Sequence, residues 1–388
     1  MVTAPSGGVQ WRLQVSPGPR ERREAPLVFD APDGAAAGDY VLVRDGETIP
    51  AQVGYGRLLA VFPALAAGVA RAYTLRPARL PRTMTVAAST GSVAVAVGDA
   101  PFTTLHLEGA PKPYLYPLLA PGGVCVLRGW PVDPQIGDPT DHVHHRGAWI
   151  GHGDVNGADT WDEREDRIGR IVAEATAADA GGVAAHIATE VRWVRKDGTA
   201  VLRERRLYRF WAVDDAVRLF DVESTYSGVD GAEVRWGDTK EGALCGVRVA
   251  HGMEGRNGGR ITTAEGAIGE AEAWGSAAGW CDYTGVPAAE ATAGRNSPVG
   301  VAIFDNPGNP LHPMRWHVRD YGLMAANPFA LSHYLPKQGR NGEYTIPAGD
   351  SATFRFRVLL HRGGVEEGDV ARRYADWAFP PRVKWEQA

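Results

Sequence analysis

The chain is expected to be mostly β, built from many short antiparallel strands, on three observations. Its 48 glycines and 27 prolines punctuate the whole length, as residues that set turns do. Between them, apolar residues recur at period two, with 12 tryptophans and 12 tyrosines present, which suits a pleated, half-buried surface. A helical stripe is convincing in one place only, near the C-terminal end.

At 388 residues the chain exceeds the usual size of one hydrophobic core. The expected division is a small β-sandwich module over residues 1–82 and a large β unit over residues 83–388. In the module, QWRLQV (10–15), APLVFDA (25–31), residues 39–65 and RAYTLRPA (71–78) are strand-like runs, and a Pro-rich joint follows at 79–82. The large unit opens with TVAAST (85–90), SVAVAVG (92–98), FTTLHLEG (102–109) and the proline-interrupted residues 112–130. Residues 186–228 give the clearest antiparallel pattern. Apolar and charged residues alternate there through turns at Lys196-Asp197-Gly198 and Asp214-Asp215, which predicts one packed face and one wet face. TFRFRVLLHRG (353–363) predicts another strand. A helix is expected over residues 365–379, with Val370, Tyr374 and Trp377 on one stripe and Glu366, Glu367 and Asp369 at its positive end.

A net charge of −5 gives no reason to expect a nucleic-acid or anionic-membrane partner. Three widely spaced cysteines suggest neither a disulfide framework nor a Cys-x-x-Cys metal site. No secretory h-region and no run of about 18 apolar residues is evident, so a soluble, cytoplasmic protein is expected. Its oligomeric state is not legible.

Residues 141–162, DHVHHRGAWIGHGDVNGADTWD, hold four of the eleven histidines and are the first place to look for chemistry. If the segment is extended, alternation puts His142, His144, Arg146 and His152 on one face and His145 and Trp149 on the other. His-x-His spacing lets two imidazoles converge on a divalent metal (zinc, manganese, calcium or iron), with His142, His144 and His152 the candidate ligands. The alternative is a hydrogen-bond network that holds no metal.

Residues 235–252 crowd Asp238, Lys240 and Glu241 into a turn before a small-residue strand. A carboxylate beside a lysine can be a tuned acid or base; an ordinary solvated turn is the alternative. Residues 316–334 carry His317, Arg319, Asp320, Asn327 and His333 among aromatics, a set able to clamp hydroxyls. The candidate catalytic set is therefore Glu241, Lys240, Asp238 and His317. Arg146, Asp154, Asn156, Trp161, Arg319, Asp320 and Asn327 form the candidate substrate-binding set. Without a Gly-x-Ser-x-Gly elbow or a Gly-rich phosphate loop, neither a serine nucleophile nor a nucleotide cofactor is expected.

KPYLYPLLAPGG (112–123), DHVHHRGAWIGHGDVNGADTWDE (141–163), GDTKEGALCGVRVA (237–250), AWGSAAGWCDYTG (273–285) and WHVRDYGLMAANPF (316–329) follow one another in this chain. In that order they resemble the PmoA-like bacterial family of domains of unknown function, over roughly residues 85–362. The resemblance implies an antiparallel β-supersandwich similar to galactose-mutarotase-like proteins, with an accessory β module ahead of it. It also implies a carbohydrate-processing enzyme that applies acid–base catalysis to a sugar or keto-sugar, as an epimerase, lyase or glycoside-cleaving enzyme. Two further readings stand beside it. Two histidines and a carboxylate could form the facial triad of a non-haem metal-dependent oxygenase, and aromatics with histidines could make a non-catalytic carbohydrate-binding protein.

Overall fold

A computed structural model describes residues 10–135, 137–164 and 169–387. Two large antiparallel sheets face each other. The first has nine strands. Eight run in the order Trp316–Arg319, Leu323–Ala326, Gly242–Arg248, Ala148–His152, Tyr114–Ala120, Ala100–His106, Ser92–Val97 and Met84–Ser89, and the short Val124–Cys125 pairs beside Tyr114–Ala120. The second has eight: Arg170–Ala180, Ala184–Val194, Ala200–Trp211, Val217–Gly228, Ser351–Arg362, Val299–Asp305, Trp280–Gly285 and Arg260–Thr263. Their inner faces meet in one continuous core, where Phe102 of the first sheet packs edge-on against Phe210 and Phe220 of the second.

Residues 186–228 form three successive antiparallel strands, and Gly198, at φ +87°, supplies the left-handed turn position. The alternation nevertheless conceals an exception. Glu204 and Arg206 point into the core as a bidentate pair at 2.6 and 2.8 Å, and Trp193 Nε1–H donates to Glu204. Burial is tolerated because the charges are paired and hydrogen-bonded.

The N-terminal strands form a separate seven-stranded sheet with its own apolar core. Its last strand is not N-terminal: Arg382–Gln387 pairs with Trp11–Ser16, although the sequence pattern groups it with the large unit. The C-terminal helix spans Val370–Ala378, shorter than the expected 365–379, because Asp369 takes a left-handed φ of 52° just before it. Tyr374 and Trp377 from its stripe pack on Phe304, and Val370 joins a third cluster between this helix and the second sheet.

Candidate active site

The histidine segment is a turn before it is a strand. The backbone N–H of His145 donates to the carbonyl of His142 at 3.0 Å, His142 has φ 44°, and Gly147 has φ 58°. A Cβ at Gly147 would collide with the Leu115 carbonyl, so the turn-to-strand junction requires glycine here. Regular strand geometry begins only at Ala148. The expected alternation therefore fails: His145, assigned to the far face, shares a cavity with His142 and His144.

Two fully buried arginines hold this turn. Arg128 donates to the carbonyls of Pro139, Asp141, His142 and His145 and to Asp141 Oδ1 at 2.6 Å. Arg248 donates to Asp141 Oδ1 at 3.0 Å and to His145 Nδ1 at 3.3 Å, and its guanidinium lies over the Tyr321 ring at 4.6 Å. Burial, with Arg248 close by, pushes Arg128 down to about 10. Asp141 Oδ2 is 3.1 Å from His142 Nδ1. Burial pushes the Asp141 carboxyl up, but Arg248, His142 and Arg128 together hold it below the usual carboxylate range.

The cavity has a volume of about 320 Å³. On its histidine side, His142 stacks with both Tyr321 (4.9 Å) and His145 (4.8 Å), which lie 6.4 Å from each other, and His145 stacks on Trp149 (5.0 Å). His144 meets His145 edge-on at 4.5 Å, and Trp161 closes over His145 at 5.4 Å. Lys240, Glu241, His317 and Arg319 also line the cavity, with Lys240 Nζ 3.8 Å from Glu241. Asp159, Asp162 and Arg164 complete the rim. Burial, then Lys112 and His142, push His144 down to about 4. Burial, then Arg319 and Lys240, push His317 down to about 3. His145 is driven well below its ordinary value by burial and by His144 and Arg248. These three imidazoles are neutral near pH 7.

Seven of the sequence-predicted residues thus line one cavity: His142, His144, Trp161, Lys240, Glu241, His317 and Arg319. The other seven lie elsewhere and support the surrounding loops. His152 ends its strand off the cavity, edge-on against the stacked Trp236 and Phe329, with Nδ1 accepting the Asp154 N–H. Arg146 is occupied by Glu163, which also pairs with the buried Lys112. Asp154 caps Gly157, and Asn156 bridges to residues 233 and 235. Asp238 accepts from Ser332 and Gly342. Asn327 holds the Thr239 and Lys240 carbonyls, so it shapes the Lys240–Glu241 turn from behind. Asp320 packs against Gly255.

Sequence reasoning missed Asp141, His145, Asp159, Asp162, Arg164 and Tyr321. Asp141 and Asp162 bound the very segment singled out. Tyr321 lies inside the third one, and only its stacking on His142 in the folded chain marks it out.

The residues do not fit a three-ligand metal centre. Among the described residues no three His, Cys, Asp or Glu side chains are arranged to hold an ion. His152 lies off the cavity, and His142 Nδ1 faces Asp141.

The chain is a mostly β sandwich with a cavity lined by histidine, acidic and basic side chains. The chain belongs to DUF6807, a family of unknown function, whose model matches residues 92–375. No curated protein matches it. Among solved structures it is similar to an alpha-mannosidase from Enterococcus faecalis V583 (TM-score 0.40, 9% identity, covering 99% of this chain and 46% of that one). It is also similar to a glycosyl hydrolase family 38 protein from Enterococcus faecalis (TM-score 0.38, 9% identity, 99% and 48% coverage). A third likeness is to a protein assigned as an aldose 1-epimerase from Klebsiella pneumoniae (TM-score 0.32, 9% identity, 92% and 97% coverage). The chain spans about half the length of the first two. Identity this low concerns the fold alone. No helix among the described residues is long and apolar enough to cross a membrane.

Proposed function

We propose that this protein is a carbohydrate-processing enzyme that moves protons on a sugar or keto-sugar bound in the histidine-lined cavity. The observation that carries the reading is the pairing of Asp141 with His142, which lines a cavity also lined by Glu241. Asp141 accepts a hydrogen bond from the Nδ1–H of His142, which leaves Nε2 with a lone pair, the arrangement of a general base. Glu241, which lines the same cavity, is the complementary acid or base, and Lys240 beside it balances its charge. One group removes a proton next to a carbonyl and the other delivers one, giving epimerisation or elimination without a nucleophile or nucleotide. Trp161, which lines the cavity, offers apolar ring surface to the C–H side of a sugar.

The test is incubation of the protein with a panel of aldoses, ketoses and keto-sugars in D2O, followed by proton NMR. Deuterium incorporation or a new product, lost in His142→Gln and Glu241→Gln, is expected. Absence of exchange and of product across the panel would sink the reading.

A further inference from the structure

We infer that the cleft between the N-terminal sheet and the second large sheet binds a small oxyanion, a phosphate or the carboxylate of a small acid, which bridges Arg209 and Arg355 of the sandwich to Arg57 of the N-terminal sheet. The cleft is separate from the histidine cavity and shares no lining residue with it.

The strands place the charges. Along Ala200–Trp211, Val217–Gly228 and Ser351–Arg362, alternation sends Phe210, Phe220, Val222 and Phe356 into the core and Arg209, Asp221, Glu223, Arg355 and Arg357 onto the outer face. Register sets Arg209, Asp221 and Arg357 in one cross-strand row, with Glu223 opposite Arg355 in the next row on that face. The N-terminal sheet lies over these rows: Arg357 donates to the Pro26 carbonyl at 3.3 Å, and Pro26, Leu27 and Arg57 line the cleft.

Three guanidiniums in these rows meet two carboxylates. Arg357 holds Asp221 bidentately at 2.6 and 3.0 Å, and Trp211 Nε1–H donates to Asp221 Oδ2 at 2.9 Å. Arg355 Nε donates to Glu223 at 2.8 Å. Arg209 is left with a 3.5 Å contact to that same Oδ2, and its Nε has no partner among the described residues, although the side chain is only 8% exposed. A buried cation without a carboxylate of its own is unfavourable. Arg206 shows the contrast. Burial pushes Arg206 down, yet the bidentate Glu204 raises it well above its ordinary value, whereas burial pushes Arg209 down and Asp221 with Glu223 leave it there.

This surplus charge borders a cleft of about 180 Å³, below the roughly 300 Å³ at which drug-sized ligands are held. Arg355, 38% exposed, is bonded through Nε, and Arg57, 41% exposed, through Nη1 to Asp30, so each has N–H groups to spare. An oxyanion brings several lone pairs and a negative charge to the three arginines. A cation would add to the surplus, and a neutral sugar would leave it uncompensated.

Thermal unfolding of the full chain in an oxyanion-free buffer, with phosphate, acetate or chloride added at matched ionic strength, tests this. Phosphate, acetate or both should raise the melting temperature saturably, as mass action on a native-state site requires. The arm that saturates at the lower concentration, confirmed by isothermal titration, distinguishes the two sources, and chloride should give no saturable rise. Arg209→Met should weaken binding at least about tenfold, the size of one charge-assisted hydrogen bond. In the oxyanion-free buffer that variant should melt no lower than the parent, because Asp221 keeps Arg357 and Trp211, and the bound anion should reverse the order. Arg57→Gln lies on the other side of the cleft at an exposed position, so it leaves the sandwich core untouched and should weaken binding as well. Lys240→Gln, in the histidine cavity, should leave binding unchanged. No saturable response to either oxyanion, undiminished binding in either arginine variant, or loss of the response in Lys240→Gln overturns the inference.

Discussion

Asp141 divides its two oxygens between structure and chemistry: Oδ1 between Arg128 and Arg248, Oδ2 on His142. Asp141→Asn keeps the shape but removes the charge facing two buried guanidiniums. Because the carboxylate is 39% exposed, the cost should be about 2 kcal/mol rather than the 3–5 typical of a fully buried pair, measured as a lowered urea midpoint. His142 should also lose its fixed Nδ1–H tautomer, and turnover of a responsive sugar should fall at least about 100-fold. Intact turnover would show that His142 needs no orienting carboxylate. Glu163 is the purer structural case. Its side chain is 3% exposed and balances both Lys112, 1% exposed, and Arg146. Burial pushes the Glu163 carboxyl up, yet Lys112 and Arg146 hold it below its ordinary value. A depressed carboxylate contributes stability that is present above its unfolded value, near 4.5, and is lost as pH falls through the lower folded one. Glu163→Gln should therefore cost about 3–5 kcal/mol at pH 7 and flatten the acid limb of a stability-against-pH curve. An unchanged acid limb would remove Glu163 from the account.

At the scale of elements, a cross-strand row in the second sheet shows how one glycine permits a buried ion pair. His361, Gly300 and Thr284 lie opposite one another on three adjacent strands. With no side chain at 300, the His361 ring crosses the middle strand and reaches Asp282 at 2.8 Å, both groups being buried. A Cβ at Gly300 would overlap that ring. Burial disfavours the charged imidazole, but Asp282 and the Arg362 carbonyl outweigh it and raise His361 above 6.5. The linked stability is full below about pH 6.5 and is lost as pH rises through the raised value. Gly300→Ala should break the pair, lowering stability by about 3 kcal/mol near neutral pH and abolishing that alkaline loss; calorimetry from pH 6 to 9 measures both. The same scale explains what the sequence could convey. The strands of residues 186–228 were legible because register, turn glycine and apolar alternation are local and agree. The histidine turn was not, because Gly147 and His142 leave the extended region and cancel the parity on which side-chain direction depends. Asp141, Arg128 and Arg248 stayed hidden for a different reason. Arg248 lies 107 residues from its carboxylate, and no periodicity encodes such a distance. Arg146 and Asp238 looked functional by type, yet each is committed to a neighbour that only the folded chain supplies.

Across the whole molecule, the N-terminal sheet is tied to the large unit from both ends of the chain. Leu59 packs in one cluster with Trp211, Leu219, Phe304, Leu359 and Val370, which joins the sheet, the sandwich and the helix. Arg22 pairs with Asp376 of that helix at 3.1 Å and donates to the Phe379 carbonyl. Arg357 of the second sheet donates to the Pro26 carbonyl. The chain then returns so that Arg382–Gln387 covers the edge of Trp11–Ser16, and Trp385 Nε1–H donates to the Asp30 carbonyl. Removing residues 381–388 would expose the Trp11–Ser16 edge and free the surface beneath Val383 and Trp385. An uncovered, partly apolar edge strand is a template for pairing with another chain. The truncated protein should melt a few degrees lower by calorimetry and form dimers or larger species in light scattering, increasingly so with concentration. None of the residues lining the histidine cavity lies in this sheet or helix. Turnover of a responsive sugar should therefore survive the truncation in its monomeric fraction; its loss there would show that the N-terminal sheet shapes the cavity at a distance rather than bracing the sandwich from outside.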